Sequence, residues 1–536
     1  MKREAAWHYL APDKWPDWKW VLVLTGAAIA LWTISLGNVP LRDWDEGYRS
    51  VVVREMIQTK DWFYPTRFGA PYLTKPPFGY WVGAAGPMLF GKVNEFTLRF
   101  PMALFSALGV PLLYGVVREL SSRRQEAVIS AGVYMTLLPV VRHGRLHMFD
   151  GFINTLLILS LFCLLRSSSR GALPSQKLRV WALGVGLSLM GIALSKGILA
   201  IAIGGIVFGF VVLDRRWTIF RNPYLWAGLA VGISLTAGWN IAQWQRYGDV
   251  FLQQHLGFQN VARITEAVDG NSGPPWTYFV QIAQYTFPWV LFWPGGLVLA
   301  WKSRRGSSSK SKGCLILTGT VLYMGMISVM QTKLPWYVMP VFPFMAMAVG
   351  WQVAQPVKVY AYLLRWVFAV GVLIGIGGIV YFAIADPQLP LILLGTGLAI
   401  TMGLVTRQLT QRSEQYRYTL VIGLYGCLFL LMVSRSWIWE LNESFSVVSV
   451  GAMVQAHVPN DEPFYASYRH SRPSLEFYAE HPMGTGDTED LKQKRQEGFY
   501  LLLNSEALQA LEIPSESIVD TAEGFSLVRN PGHRGY

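Results

Sequence analysis

"WVLVLTGAAIALWTISLGNVPLRDWDEGYRS" (Trp20–Ser50) holds two opposite demands on solvent. Residues 20–38 are apolar over a length that lets a helix cross about 30 Å of hydrocarbon. Asp43, Asp45 and Glu46 follow within a few positions. Carboxylates repel each other and bind water, so they cannot follow the helix into lipid. The stretch predicts a membrane span that delivers the chain to an aqueous loop. Apolar runs of similar length recur up to residue 434. Of 536 residues, 52% are hydrophobic and 15% charged, and mean hydropathy is +0.31. The expected fold is an all-α polytopic membrane domain with a small soluble α/β domain behind it.

Thirteen spans are predicted, near 20–38, 100–117, 127–141, 151–165, 180–195, 198–213, 224–243, 277–300, 314–330, 336–354, 361–384, 389–405 and 418–434. Residues 79–90, "GYWVGAAGPMLF", are too short to cross and suit a helix lying in the interface. The first twenty residues are polar and Trp-rich, so no cleavable signal is expected and the first span serves as its own insertion signal.

The net charge of +13 does not predict nucleic acid as a partner, because the basic residues are scattered over short connections. With the N-terminus inside, the inner segments hold 24 Lys and Arg. Five outer connections hold six: Arg142, Arg145, Lys196, Arg246, Arg263 and Lys333. The remaining sixteen lie in two long outer segments, where the positive-inside rule is weak. This bias predicts a cytoplasmic N-terminus and a tail, 435–536, on the outer side. Residues 1–434 are then the membrane domain, carrying long outer loops at 39–99 and 244–276. Strands in the tail are expected at 463–469, 498–504 and 525–530, with helix near 474–480 and 505–511. Cys163, Cys314 and Cys427 lie in apolar runs and predict buried thiols rather than disulfides or a metal motif.

Long ordered loops in a compact protein are usually functional. Adjacent residues point different ways, so Asp45 and Glu46 are not expected to form an acid–base pair with each other. One can face a cavity while the other caps the helix that follows. In "YLTKPPFGYW" (72–81) the paired prolines hold Lys75 extended at headgroup depth, where it can meet a lipid phosphate or simply reach water. In "RHGRLHMFDG" (142–151), His143 and His147 have a spacing that could hold a metal on a helix, but no second ligand cluster accompanies them, so no metal is expected. Asp150 opens the next span, as a cap or as a cavity-facing group. Lys196 and Lys333 stand in outer turns beside Gly197 and Pro335. Carboxylates and basic residues thus share one membrane face beside a Trp-rich interface. A lipid-tailed, phosphate-linked sugar would need all of these.

These residues also resemble a family. "RDWDEGYRS", "KPPFGYW", "RLHMFD", "SKG" and "TKLPWYVMPVFP" follow one another as in the aminoarabinose-transferase branch of the GT-C glycosyltransferases, relatives of the protein O-mannosyltransferases. The resemblance covers residues 1–435. It implies a polyprenyl-phosphate sugar donor, transfer on the outer face of a bacterial inner membrane, and a lipid or glycan acceptor. It implies Asp45 as the principal catalytic acid, with Glu46 and Asp150 beside it. Lys75 would face the donor phosphate, with Lys196 and Lys333 further basic positions around the cavity. Arg49, Arg145, Tyr48 and Tyr337 complete the expected substrate contacts. Here Tyr48-Arg49 replaces the family's usual Arg-Tyr, and Thr74 stands where a relative has a metal-binding acid. No cofactor is expected, and the chain is expected to act as a monomer in the bilayer. The expected reaction is direct, inverting displacement. The rival class is a flippase for lipid-linked sugars, which would carry its polar residues at mid-membrane and an alternating-access repeat; a structural envelope subunit would leave the acids unexplained.

Overall fold

A computed structural model describes residues 14–169, 174–304, 306, 309–356, 362–439, 446–460, 462–467 and 472–529. Parts of the expected inner segments, including most of the first, and the ends of the strands expected at 463–469 and 525–530 lie outside these residues. The chain forms two compact units. One comprises Met1–Leu36, Leu73–Gly79 and Phe100–Trp437; the other comprises Gly37–Tyr72, Tyr80–Arg99 and Ile438–Tyr536.

In the first unit every expected span falls on helix. Among the described residues, eight helices are long and apolar enough to cross a membrane. Several other spans are broken, and prolines account for the breaks. The stretch expected at 127–141 is two helices, Arg124–Met135 and Leu138–Arg145, with Pro139 in the first turn of the second. That at 277–300 is three pieces around Pro288 and Pro294. Proline removes a donor and clashes with the preceding turn, so a helix restarts at it more easily than it continues through it. Among the eight long apolar helices, Asp150–Ser167 is the most buried, at 83%, against 17% for Arg365–Ala385. Asp150 therefore opens a central helix. Where Ala182–Lys196 crosses Pro223–Phe251, a Cβ on Gly186 would stand 2.2 Å from the Gly228 carbonyl carbon, so the small residue sets the approach of the two backbones.

The short helix Phe78–Phe90 exposes Met88, Leu89 and Phe90.

In the second unit, strands β1 (Thr66–Arg67) and β2 (Ala70–Pro71) form a small hairpin. The tail supplies β3 (Phe464–Ala466), β4 (Met483–Thr485), β5 (Tyr500–Asn504), β6 (Ile518–Ala522) and β7 (Phe525–Val528), in the order β4-β3-β5-β7-β6. β3 pairs in parallel with β4 and β5, and β7 runs antiparallel to β5 and β6. β5 is apolar on both faces. Tyr500 and Leu502 join a core with the Val447–His457 helix, while Leu501 and Leu503 join a separate core with Leu491 and Leu511. The alternation is the period of two that a strand imposes. The sequence reading missed β4, β6 and the helices Val447–His457 and Thr488–Gln496, although Asp487 closes a full capping box on the latter.

Candidate active site

The three carboxylates of the opening stretch separate into different environments, all within the second unit. Asp43 is 6% exposed. It accepts from Arg472 Nε at 2.7 Å, from the Ser474 amide at 3.1 Å and from the Ser474 hydroxyl. Glu46 is wholly buried with Arg99. Arg99 Nε and Nη2 fork onto its two oxygens at 2.8 and 2.7 Å, and the Arg42 amide donates to it at 2.7 Å. Arg99 also donates to the carbonyls of Val39 and Pro40. These two acids fix the loop.

Asp45 is different: its side chain is 28% exposed, and Oδ1 accepts from Arg49 Nη2 at 2.8 Å, one turn further along. It is the first residue of the helix Asp45–Thr59, where the helix dipole favours a carboxylate. The residue before it, Trp44, has φ +63° and ψ −101°, strained for a bulky side chain. Gly47 lets this helix touch the tail: a Cβ there would lie 2.4 Å from the carbonyl carbon of Pro473. Tyr48 lies under the Arg67 guanidinium at 4.5 Å, and Arg67 is in turn tied to the buried Glu476.

The first unit holds a second group of expected site residues. Asp150, at the start of its helix, accepts from Lys196 Nζ at 2.7 Å, and Lys196 ends the helix Ala182–Lys196. The pair is 5% and 12% exposed, and Asp150 Oδ2 is buried without a hydrogen-bond partner among the described residues. Lys75 donates to Gln259 Oε1 at 2.9 Å.

Gln259 belongs to a π-helical stretch, Leu252–Ala262, of a kind often found at functional sites. On this stretch His255 stacks on Phe251 at 5.0 Å and meets Trp239 edge-on. Burial, and then the Lys75 ammonium, push the His255 pKa down to about 4, so its ring is neutral at physiological pH. A Cβ on Gly197 would touch Asn260 at 3.6 Å, so the turn after Lys196 rests on the same stretch. The far end of this loop pairs with the Lys333 segment: Thr332 N donates to the Arg263 carbonyl, Lys333 N to the Asn271 carbonyl, and Arg263 Nη1 reaches the Tyr337 hydroxyl at 3.3 Å. The loop 244–276 thus links the segments that carry Lys75, Lys196, Lys333 and Tyr337.

Two expected substrate-binding cations are held by backbone carbonyls. The Lys333 ammonium is one. It donates to the carbonyls of Ile327 (3.0 Å), Ser328 (2.8 Å) and Met330, closing the end of the helix Lys310–Val329. Arg145 is fully buried and serves the first helix in the same way, through the carbonyls of Leu31 (2.8 Å), Trp32 (3.3 Å) and Ile34 (2.6 Å), with its guanidinium 4.6 Å from the Trp437 ring. His143 and His147 do not share a helical face, because that helix ends at Arg145 and Leu146 is extended. Sequence reasoning missed Arg99, whose signal was a lone charge at the edge of an apolar run. It also missed Gln259, His255 and Asn260, which had no signal beyond being polar in a long loop.

This geometry predicts which lysines act together. Lys75→Ala and Lys196→Ala should couple in a double-mutant cycle of initial rates by about 0.5–3 kcal/mol, because Lys75 donates to Gln259 and the turn after Lys196 lies against Asn260 on the same stretch. Lys75→Ala and Lys333→Ala should instead multiply. Coupling between Lys75 and Lys333, with none between Lys75 and Lys196, would refute the arrangement.

Known proteins share this architecture. A family model described as dolichyl-phosphate-mannose-protein mannosyltransferase matches residues 74–241. The undecaprenyl phosphate-alpha-4-amino-4-deoxy-L-arabinose arabinosyl transferase of Pectobacterium carotovorum subsp. carotovorum is 28% identical over 386 residues, which are 70% of this chain and 67% of that one. The protein of the same name from Edwardsiella ictaluri is 29% identical, over 62% of this chain and 59% of its own length. The chain therefore spans less than two thirds of that relative. Among solved structures, ArnT from Cupriavidus metallidurans bound to undecaprenyl phosphate superposes with a TM-score of 0.73 at 18% identity, covering 95% of this chain and 98% of that one. The archaeal oligosaccharyltransferase AglB from Archaeoglobus fulgidus gives 0.54 at 11% identity, covering 97% and 75%.

The chain is an integral membrane protein with the GT-C glycosyltransferase fold. That fold is shared with ArnT from Cupriavidus metallidurans.

Proposed function

We propose that the chain moves a sugar from a polyprenyl-phosphate donor onto a lipid or other envelope acceptor at the outer face of a bacterial inner membrane. The observation that carries this reading is the sorting of the three acids. Asp43 and Glu46 are locked, whereas Asp45 stays 28% open at a helix start, on a fold built for lipid-linked donors. The acceptor oxygen attacks the anomeric carbon opposite the phosphate. A new C–O bond forms, the bond to the phosphate oxygen breaks, its electron pair leaves with the lipid phosphate, and the configuration inverts. Asp45 orients a hydroxyl acceptor and takes its proton; a phosphate acceptor would need orientation only. Lys75 neutralises the leaving phosphate, since a phosphate oxygen can replace the neutral Gln259 amide at its ammonium. Asp150 holds Lys196 in place. The proposed step uses no metal and a single copy of the chain.

The flippase reading finds less support. The polar groups Lys75, Asp150 and Lys196 stand at helix ends or in a loop, and the relatives are transferases. Purified protein, radiolabelled polyprenyl-phosphate sugar and a membrane lipid extract test the proposal. Label should move to a new lipid product. Label that stays on the donor while the protein carries that donor across vesicles would refute it.

The charge bias further supports an N-terminus inside and a tail outside. Gln411→Cys and Glu506→Cys lie on exposed positions of an expected inner segment and of the tail. An impermeant thiol reagent on spheroplasts should label Glu506→Cys and spare Gln411→Cys. The opposite pattern would invert the topology.

A further inference from the structure

The last turns of the Asp45–Thr59 helix line a second concavity, entirely within the second unit. Its volume is ≈ 420 Å³, within the range of small-ligand clefts. Arg54 follows Asp45 by nine residues, about 13 Å along the helix axis at ~1.5 Å per residue, so the cavity is a separate place from the proposed transfer site.

Its walls have a specific chemistry. Ile57, Val93 and Phe477 supply apolar surface. Gln58 and Asn94 supply amides, and Glu95 and Glu480 supply carboxylates. Among the described residues of the lining the cation is Arg54, and it is already committed: Nη1 donates to the Phe477 carbonyl at 2.8 Å and lies 3.3 Å from Glu480. The Tyr478 hydroxyl donates to Glu95 Oε1 at 2.6 Å and so fixes that carboxylate. Two carboxylates against one spoken-for guanidinium leave the lining formally negative, so a phosphate or carboxylate ligand would be repelled. Hydroxyl groups suit it, because they donate to carboxylates and accept from amides. A protonated amine would suit the surplus negative charge, and the C–H face of a ring would suit Phe477.

We propose that this cavity binds a neutral or amine-bearing sugar ring. The inference goes beyond the transfer reaction and does not need it, because binding is read without any donor. The test uses the full chain in a detergent that has no sugar head group. The probes are methyl glucoside, methyl galactoside and glucosamine, with glucuronate and glucose 6-phosphate as anionic controls. Saturation-transfer NMR and calorimetric titration report binding. At least one neutral or amino sugar should saturate, with Kd near 1 mM or below, and neither anion should. Gln58 is exposed, so Gln58→Trp can fill the cavity without disturbing the core, and it should raise Kd at least tenfold, ~1.4 kcal/mol. Glu480→Gln should weaken glucosamine more than methyl glucoside. Saturation by the anions, no saturation by any neutral or amino sugar, or a Kd unmoved by Gln58→Trp would each overturn the assignment.

Discussion

Asp45→Asn is expected to lower turnover at least ~100-fold, within the range lost when a positioned acid–base group is removed. Asparagine keeps the shape and still offers Oδ1 to Arg49, whose guanidinium is 3% exposed and needs that acceptor. The helix start and the strained turn at Trp44 should therefore survive, and the loss should fall on kcat. Donor affinity should change little, because the cation assigned to the phosphate, Lys75, is untouched. The measurement is initial transfer rate against donor concentration, on protein shown to be folded by size exclusion. Transfer within a few-fold of wild type by folded Asp45→Asn would remove Asp45 from the mechanism.

Arg99→Ala should act on the other observable. It removes the buried counter-charge that Arg99 supplies to Glu46, and breaking a pair of this kind costs about 3–5 kcal/mol. The carbonyls of Val39 and Pro40 also lose their donor. The expected result is a large drop in melting temperature, with weak expression as its visible sign. Arg99→Lys should rescue only in part, because an ammonium cannot fork onto two carboxylate oxygens. The pair Arg99→Met with Glu46→Leu should be more stable than Arg99→Ala alone, since no orphan charge remains. Wild-type melting in Arg99→Ala would show that the pair does not hold the loop. Together the two variants separate chemistry at Asp45 from architecture at its neighbour.

The sequence alone determined what local chemistry can determine. Apolar run length made the chain a membrane protein, and each expected span falls on helix, because hydrogen bonding within one segment is the way a single span satisfies its backbone in lipid. The apolar run "YLLLN" (500–504) falls in the strand expected at 498–504. The five motifs, in order, pointed to the GT-C class.

Tertiary structure decided which charged residue does what. Asp43, Asp45 and Glu46 are equivalent by composition; they differ because Arg472 and Arg99 reach two of them from 429 and 53 residues away. Lys333 and Arg145 read as ligands because they are cations in outer turns, yet the nearest acceptors in three dimensions are helix-end carbonyls. Residues 37–72 and the tail belong to one compact unit, which no periodicity announces. A residue's spacing fixes the face it occupies, whereas its partner depends on what distant chain is packed there.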